Sequence, residues 1–488
     1  MGLPPDVSPE NLVPIVELGD DAKNVTFNML CSSLQVIQNT PAGNGFHATA
    51  GSWDVWSQPV GEQWHFKTSV DLKNSDIDQE LNTNYFNNFP SKKAQIKDKL
   101  ESLSDTSFSL QQLLFDLDST VIQLPPTIAG MPAGSDAEIM LQKSFLNTSA
   151  SSMKAAGEPL LALSARVTST PDPSQLCMTA FERQVSPYYP GPNASPTAEQ
   201  LSATTLDFLC MTQGTQPPTA AKFDWNWVQP QDIASESGVV AINRNVFAQY
   251  LLDNFILPQV ETSCLTTVFK LHALNAFGHW GYDLKVVAGQ TPQSATVTDK
   301  GANVISINWQ SHNDPNTSSS DSNGLFFIKG TVMPNYDCEV SFVDNTIVIE
   351  QHLQVYTFVQ WDATGSSFYP YDTTITDVYD ISVDQNGGLQ VTLDPSKHTS
   401  VDKSTSPDRS ATVNAFTSIN DLGNDIKGDI DEMVAADLSS VTFNGPQSFI
   451  FPGANTFTYA SASFSAYQDL VCDITLVDPA TSSHPLLK

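Results

Sequence analysis

The stretch from Ser235 to Leu257 reads SESGVVAINRNVFAQYLLDNFIL and combines the pattern of a β-strand with that of an α-helix. The run Val239–Ile242 is rich in β-branched residues, which favour strands. After Asn243 the apolar residues recur with a period near 3.6, which is typical of an amphipathic helix. The apolar stripe consists of Val246, Phe247, Tyr250, Leu251 and Phe255, with Asn254 as its polar member. So wide an aromatic face must pack against a sheet, a partner or a ligand. The transition from strand to helix at Asn243 therefore determines the predicted fold.

Two long helices are predicted, one near the middle of the chain and one near its end. The first covers about 243–276, with a break at Pro258, because proline has no backbone N–H and bends or ends a helix. The second covers about 413–438, where apolar residues recur at helical spacing and aspartates lie mainly off the stripe. Shorter helix candidates occupy 92–103 and 198–211.

Strand patterns fill most of the remaining chain, most clearly over 304–393. The best hairpin there sets Tyr379–Val383 against Leu389–Leu393, with Asn386–Gly388 as the positive-φ turn. In the N-terminal region, a Pro-Gly turn near Pro59 separates strand-like segments rich in tryptophan, which indicates a hairpin or meander. The tryptophans concerned are Trp53, Trp56 and Trp64.

These patterns predict an α+β protein that is rich in β-structure, with curved antiparallel sheets and two long helices. We predict an N-terminal region, 1–220, made of strands and long Pro/Ser-rich loops. A second β-rich region, 221–488, contains both long helices, and the position of the boundary is left open. The recurrence of sheet and long helix favours two similar units.

The acidic net charge of the chain argues against a nucleic-acid partner. The 488 residues include 53 acidic and 22 basic side chains, which give a net charge of −31. Such a surface repels phosphate backbones, so we expect no nucleic-acid partner. No apolar run reaches the length of a transmembrane helix, and the N-terminus lacks the pattern of a secretory signal. The expected location is the cytoplasm, with unconventional secretion or a trimmed signal as alternatives, and the oligomeric state is left open.

No common catalytic or cofactor signature is present, since GxSxG, HExxH and P-loop patterns are all missing. The six cysteines lack CxxC spacing, which favours buried thiols over disulfides or metal ligands. We therefore expect neither a cofactor nor a metal. The best polar cluster is FGHWGYD, where His279 and Tyr282 are weak candidates for proton transfer or carbonyl polarisation, together with Arg244. The alternative for His279 is an ordinary helix end flanked by glycines.

The run from Asp232 to Val260 resembles the accessory-protein family of clostridial neurotoxin gene clusters, which comprises the forty-seven-kilodalton protein and its OrfX-type relatives. The resemblance rests on Ser237-Gly238, the apolar strand after it and Asn243-Arg244 at the helix start, and GSWDVW at 51–56 fits more loosely. The family is similar to the tubular lipid-binding (TULIP) superfamily, in which a curved antiparallel sheet wraps a long helix around an apolar channel. The resemblance therefore implies a TULIP-like fold and an apolar ligand, and it implies no catalytic residues.

Three functions are left as hypotheses. The first is the binding of a lipid or another apolar small molecule in a tubular cavity, since burial of a ligand chain gains about 0.8 kcal/mol per CH₂. The second is a cofactor-independent cyclase or pericyclase of secondary metabolism that uses the same cavity to align reacting groups. The third is an accessory component of a toxin complex, with exposed apolar patches for protein partners. The residues predicted to line the ligand are Phe247, Tyr250, Leu251, Phe255, Trp225 and Trp227.

Overall fold

Antiparallel β-strands dominate the structure, a computed structural model, and the helices are few. It describes residues 7–8, 12–14, 16–18, 24–43, 50–77, 81–101, 108–116, 127–129, 133–144, 150–155, 160–167, 176, 178–212, 215–219, 221–276, 279–312, 314–361, 365–384, 389–404, 449–450 and 456–477.

The strands of the first half are β1 (Val16–Leu18), β2 (Asn24–Leu30), β3 (Gln35–Thr40), β4 (Ser52–Ser57), β5 (His65–Ile77), β6 (Phe108–Asp116), β7 (Thr127–Ala129), β8 (Leu160–Val167), β9 (Met178–Ser186) and β10 (Thr205–Thr212). The helices are α1 (Asn84–Asn88), α2 (Pro90–Glu101), α3 (Asp136–Ser144), α4 (Ala150–Ala155), α5 (Ala198–Leu201), α6 (Arg244–Leu251) and α7 (Leu257–Ser263). The later strands are β11 (Gly238–Ile242), β12 (Thr266–Ala273), β13 (Trp280–Val287), β14 (Ser294–Val297), β15 (Asn303–Gln310), β16 (Ser318–Ser322), β17 (Phe327–Val343), β18 (Thr346–Trp361), β19 (Gly365–Val383), β20 (Leu389–Leu393), β21 (Thr399–Asp402), β22 (Phe449–Ile450), β23 (Thr456–Tyr459), β24 (Ser463–Phe464) and β25 (Leu470–Val477).

A seven-stranded sheet in the order β1-β2-β5-β6-β8-β22, with β7 on β5, combines strands of the N-terminal region with β22 from the C-terminal part of the chain. The tryptophan-rich segments pair differently from the prediction, because β4 pairs with β3 and β5 pairs with β2. The turn near Pro59 is present but joins strands of two sheets. The reason is packing: Phe66 and Val70 of β5 complete apolar clusters with Met29 and Val25 of β2.

The second large sheet, which we call the long sheet, has the order β14-β15-β17-β18-β19-β20, with β16 on β17 and β21 on β19. Its central strands β17, β18 and β19 run over 17, 16 and 19 residues. In β17 every even-numbered residue from Ile328 to Phe342 is buried, as the two-residue period of a strand requires. The predicted hairpin is confirmed, because Tyr379 pairs with Leu393 and Val383 with Leu389, while residues 385–388 lie outside the described residues.

The central helical segment is shorter than predicted. It comprises α6, a π-helical turn at Leu252–Ile256 and α7, and it ends at Ser263. The prediction of helix up to about residue 276 is wrong, because β12 begins at Thr266 and pairs along its whole length with β13. Pro258 lies in the first turn of α7, and the π-helical turn directly before it accommodates the proline ring, which would clash in a regular helix.

Two further helix predictions have different outcomes. The candidate at 92–103 is confirmed as far as Glu101 by α2, and residues 102–103 lie outside the described residues. The candidate at 198–211 is wrong beyond its first turn, because α5 ends at Leu201 and β10 then pairs along β9. The second long helix, predicted over 413–438, lies outside the described residues.

One face of the long sheet covers two successive apolar cores. The helix core joins α6, the π-helical turn and α7 to the Tyr336–Phe342 part of β17 and to the sheet formed by β11, β23, β24 and β25. The ribbon core joins the β12–β13 ribbon to the Ile328–Val332 part of β17. Leu353 of β18 packs against both cores. The boundary between the two cores therefore lies near the middle of the central strands.

Candidate functional site

The start of α6 is fixed by hydrogen bonds to both neighbouring sheets. The Asn243 side chain caps the helix. The buried Arg244 donates from Nη1 to the carbonyl oxygen of Gly301 and from Nη2 to that of Asn303, both at 2.9 Å. Its backbone N–H donates to Asp469 Oδ1 at 2.8 Å, next to β25. Arg244 therefore anchors the helix between the long sheet and the C-terminal strands.

The apolar stripe of the helical segment packs into the helix core. Phe247 has its ring centroid 5.4 Å from that of Phe342 on β17 and 6.0 Å from that of Phe464 on β24. The rings of Tyr250 and Phe255 contact each other edge to face at 5.4 Å. The structure thus brings four predicted ligand-binding residues into one core, namely Phe247, Tyr250, Leu251 and Phe255.

A polar pair lies on the core-facing side of the long sheet. Tyr336 donates its hydroxyl hydrogen to Gln351 Oε1 at 2.7 Å, and the two residues are 2% and 3% exposed. The Gln351 Nε2 amide is buried and has no hydrogen-bond partner among the described residues. In β18, Gln351 lies two residues from Ile349 and two from Leu353, which places it near the boundary between the helix core and the ribbon core.

The ionisable groups around this pair are held neutral. Burial raises the pKa of the Tyr336 hydroxyl well above its usual range, and the nearby Cys338 adds to the shift. Burial raises the pKa of Cys338 to about 12, although its hydrogen bond with Tyr336 lowers it in part. Burial, reinforced by Glu261, raises the pKa of Cys264 to about 12. The thiols are therefore protonated and unsuited to nucleophilic attack at neutral pH.

The chemistry that this arrangement can perform is neutral hydrogen bonding inside an apolar core. Gln351 offers two amide hydrogens to an acceptor. Tyr336 fixes the orientation of the amide by donating a hydrogen bond to its oxygen. A carbonyl, ether or hydroxyl oxygen would satisfy the buried Nε2 group, whereas a charged group would lose its hydration. We therefore regard the Tyr336–Gln351 pair and the surrounding helix core as the candidate site.

Comparison with solved structures finds a likeness that spans most of the chain. The chain is similar to P47 from Clostridium botulinum A2. The two are 8% identical, the alignment covers 94% of this chain and 85% of that one, and the TM-score is 0.42. A TM-score below 0.5 does not establish a common fold, so the likeness stands as a similarity. No family model and no curated protein matches the chain.

The three weak catalytic candidates do not share a site. Arg244 bonds to the turn before β15 at the helix core. Tyr282 lies on β13, opposite Leu271, and packs against the ribbon core. His279 is exposed just before β13, and its carbonyl accepts a hydrogen bond from Leu274 N at 2.7 Å. The expected helix end around His279 is therefore wrong, because the segment belongs to the β12–β13 ribbon.

The last two predicted ligand-binding residues, Trp225 and Trp227, lie between β10 and β11. The segment is neither helix nor strand. Phe223 stacks on Trp225 with ring centroids 4.5 Å apart, and Trp225 meets Trp227 edge to face at 6.1 Å. These rings form a separate group outside the helix core, and Trp225 is 47% exposed.

Sequence reasoning missed Gln351, although a signal was available. The strand TIVIEQHLQVYTFVQW alternates, and a period of two places Gln351 on the face of Ile347, Ile349 and Val355. A glutamine on such a face is a buried polar group that needs a partner. The opposite face of the same strand carries His352, which contacts Asp372 Oδ1 through Nε2 at 2.8 Å.

The described part of the chain contains no group of three or more His, Cys, Asp or Glu side chains suited to a metal ion. None of its helices combines the length and apolar character that crossing a membrane requires.

Proposed function

We propose that the protein binds a lipid or another apolar small molecule at the helix core, with the polar group of the ligand received by Gln351. In this proposal the long sheet curves around the helical segment in the manner of tubular lipid-binding proteins, and the chain contains two such units. The proposal further includes a cytoplasmic location and no cofactor. The observation that carries it is the buried Nε2 amide of Gln351, which has no partner among the described residues.

The apolar side chains of the helix core support the binding of a hydrocarbon chain. Side chains of α6, the π-helical turn and β17 present aromatic and aliphatic groups to one another. Each CH₂ of a ligand that leaves water for such surroundings gains about 0.8 kcal/mol. The π-helical turn adds to this support, because such turns occur often at functional sites.

The polar pair supports a ligand that carries a neutral hydrogen-bond acceptor. A buried donor without a partner costs about 1–3 kcal/mol. A ligand oxygen at Gln351 would remove this cost, so an acceptor-bearing ligand gains more than a pure hydrocarbon of the same length. The raised pKa values of Tyr336 and Cys338 favour a neutral head group over an anionic one, because both side chains are uncharged at neutral pH and cannot compensate an anion.

The proposal is tested by extracting the purified full-length protein with organic solvent and analysing the extract by mass spectrometry. The stripped protein is then titrated with 1-dodecanol, with displacement of the neutral dye Nile red as the readout. We expect a co-purified apolar molecule or saturable displacement by dodecanol. An empty extract together with no saturable displacement would contradict the proposal.

A further inference from the structure

A buried arginine lies on the two-stranded ribbon of β9 and β10. Arg183 belongs to β9 and pairs with Phe208 of β10. Its residue surface is 8% exposed. Two residues further along the same strand, Val185 packs with Val25 of β2 and Val70 of β5. The odd-numbered face of β9 therefore carries a guanidinium beside an apolar cluster.

The guanidinium of Arg183 lacks the partners that a buried arginine normally has. Its Nε and Nη1 atoms are buried and have no hydrogen-bond partner among the described residues. Buried arginines are otherwise paired, because an isolated charge away from water is costly. Burial lowers the pKa of Arg183 to about 10, although nearby Glu182 acts in the opposite direction. The side chain therefore still carries its positive charge at neutral pH.

The carboxylates on the same two strands are directed elsewhere. Glu182 is exposed, and its Oε1 accepts from the backbone N–H of Arg183 rather than from the guanidinium. Asp207 lies opposite Gln184, on the other face of the ribbon, where its Oδ2 accepts hydrogen bonds from Ser186 Oγ and Gln184 Nε2. Among the described residues, neither Glu182 nor Asp207 accepts a hydrogen bond from the buried Nε or Nη1 atom of Arg183.

We propose that Arg183 is the binding residue of an oxyanion site on the β9–β10 ribbon, which receives a carboxylate or a phosphate group. Arginine suits this role, because its planar guanidinium matches the oxygen geometry of both groups and is weakly hydrated. The buried cluster of Val25, Val70 and Val185 keeps the surroundings of this part of β9 apolar. The anion is either a free ion or the head group of an apolar ligand. This site is distinct from the neutral site at Gln351.

The test titrates the full-length protein with inorganic phosphate, hexyl phosphate and hexanoate at constant ionic strength and measures heat by calorimetry. We expect saturable binding of at least one probe to the wild-type protein. In Arg183→Met, affinity should fall by about tenfold or more, since hydrogen bonds to charged groups contribute strongly. Lys67→Met is the control, because Lys67 is a half-exposed cation of the adjacent sheet, and its loss should leave affinity unchanged.

The three probes also distinguish the source of the anion. Equal affinity for phosphate and hexyl phosphate indicates a site for the free ion, whereas tighter binding of hexyl phosphate or hexanoate indicates the head group of an apolar ligand. If Arg183→Met fails to fold by circular dichroism, Arg183→Lys provides the comparison, with affinity expected to fall because lysine lacks the planar fork. The proposal is overturned if no probe binds saturably to the wild type, or if the folded Arg183 variant binds the probes as the wild type does.

Discussion

The ring of Phe269 on β12 lies directly over Gly330 on β17. A Cβ atom added at Gly330 would be 2.9 Å from Phe269 Cε1 and 3.1 Å from the carbonyl oxygen of Phe358. Phe269 is 2% exposed and belongs to the ribbon core. The absence of a side chain at Gly330 therefore allows the β12–β13 ribbon to pack closely on the long sheet.

Replacement of Gly330 by alanine should destabilise the protein. The added methyl group must displace a buried ring or a backbone carbonyl, and overpacking of this kind costs about 1–3 kcal/mol. The free energy of unfolding, measured by urea denaturation, should fall by that amount. The matched control is Gly238→Ala, where the nearest atom to the added Cβ is 3.7 Å away. Equal stability of the two variants would show that the ribbon does not pack as described.

The strand pattern of the long sheet was predictable from sequence, whereas the helical boundary was not. In the Tyr379–Leu393 hairpin, strict alternation and a turn sequence specify both register and face. In 264–276, the spacing of the apolar residues fits a continuing helix as well as a strand. Only the pairing of β12 with β13 determines that this segment forms a strand. Local sequence carries no information on that tertiary pairing.

The sequence predicts the apolar helix face of the candidate site but not its polar centre. The helical period identified Phe247, Tyr250 and Leu251 as members of one buried face, and the structure confirms their burial. The polar centre depends on which strand residues lie beneath that face. The contact of Tyr336 with Gln351 joins residues on neighbouring strands, and pairing of the strands fixes it.

Arg244 should act as a structural anchor. In Arg244→Lys, an ammonium group replaces a guanidinium that reaches two carbonyl oxygens, those of Gly301 and Asn303. Loss of these charge-assisted hydrogen bonds should lower the free energy of unfolding by about 2–3 kcal/mol. Calorimetric or urea unfolding measures the change. Asn245→Ala is the control, because Asn245 follows Arg244 and its side-chain amide donates an exposed hydrogen bond to Asp299 Oδ1. A stability of Arg244→Lys close to that of the wild type would refute the anchoring role.

The stability of the protein should depend on the ionisation of Asp372. Burial tends to raise the pKa of Asp372, but hydrogen bonds from Gln354 and His352 outweigh burial and lower it. Because the folded pKa lies below the unfolded value of about 3.9, the stabilisation is present above that pH and is lost as pH falls through the folded pKa.

Asp372→Asn tests this dependence. At neutral pH the variant should be less stable by about 1–2 kcal/mol, since it loses a charge-assisted hydrogen bond. The difference from the wild type should shrink as the pH falls below about 4. Urea unfolding across this pH range provides the measurement, with Asp283→Asn as the control, because the Asp283 side chain is 77% exposed. A difference that stays constant through acidification would exclude the proposed linkage.

The central claim is that Gln351 receives the polar group of an apolar ligand, and the most direct measurement compares Gln351→Leu with Gln354→Leu. Both substitutions remove an amide from β18, but Gln351 faces the core and Gln354 contacts Asp372 on the opposite face. The amount of apolar ligand extracted per folded chain, or the affinity for dodecanol, is quantified for each by mass spectrometry or dye displacement. We predict that bound ligand or dodecanol affinity falls about tenfold in Gln351→Leu and stays at the wild-type level in Gln354→Leu. One hydrogen bond contributes about 0.5–1.5 kcal/mol, and a ligand oxygen that is buried without a donor costs more. Undiminished ligand in folded Gln351→Leu would contradict the claim.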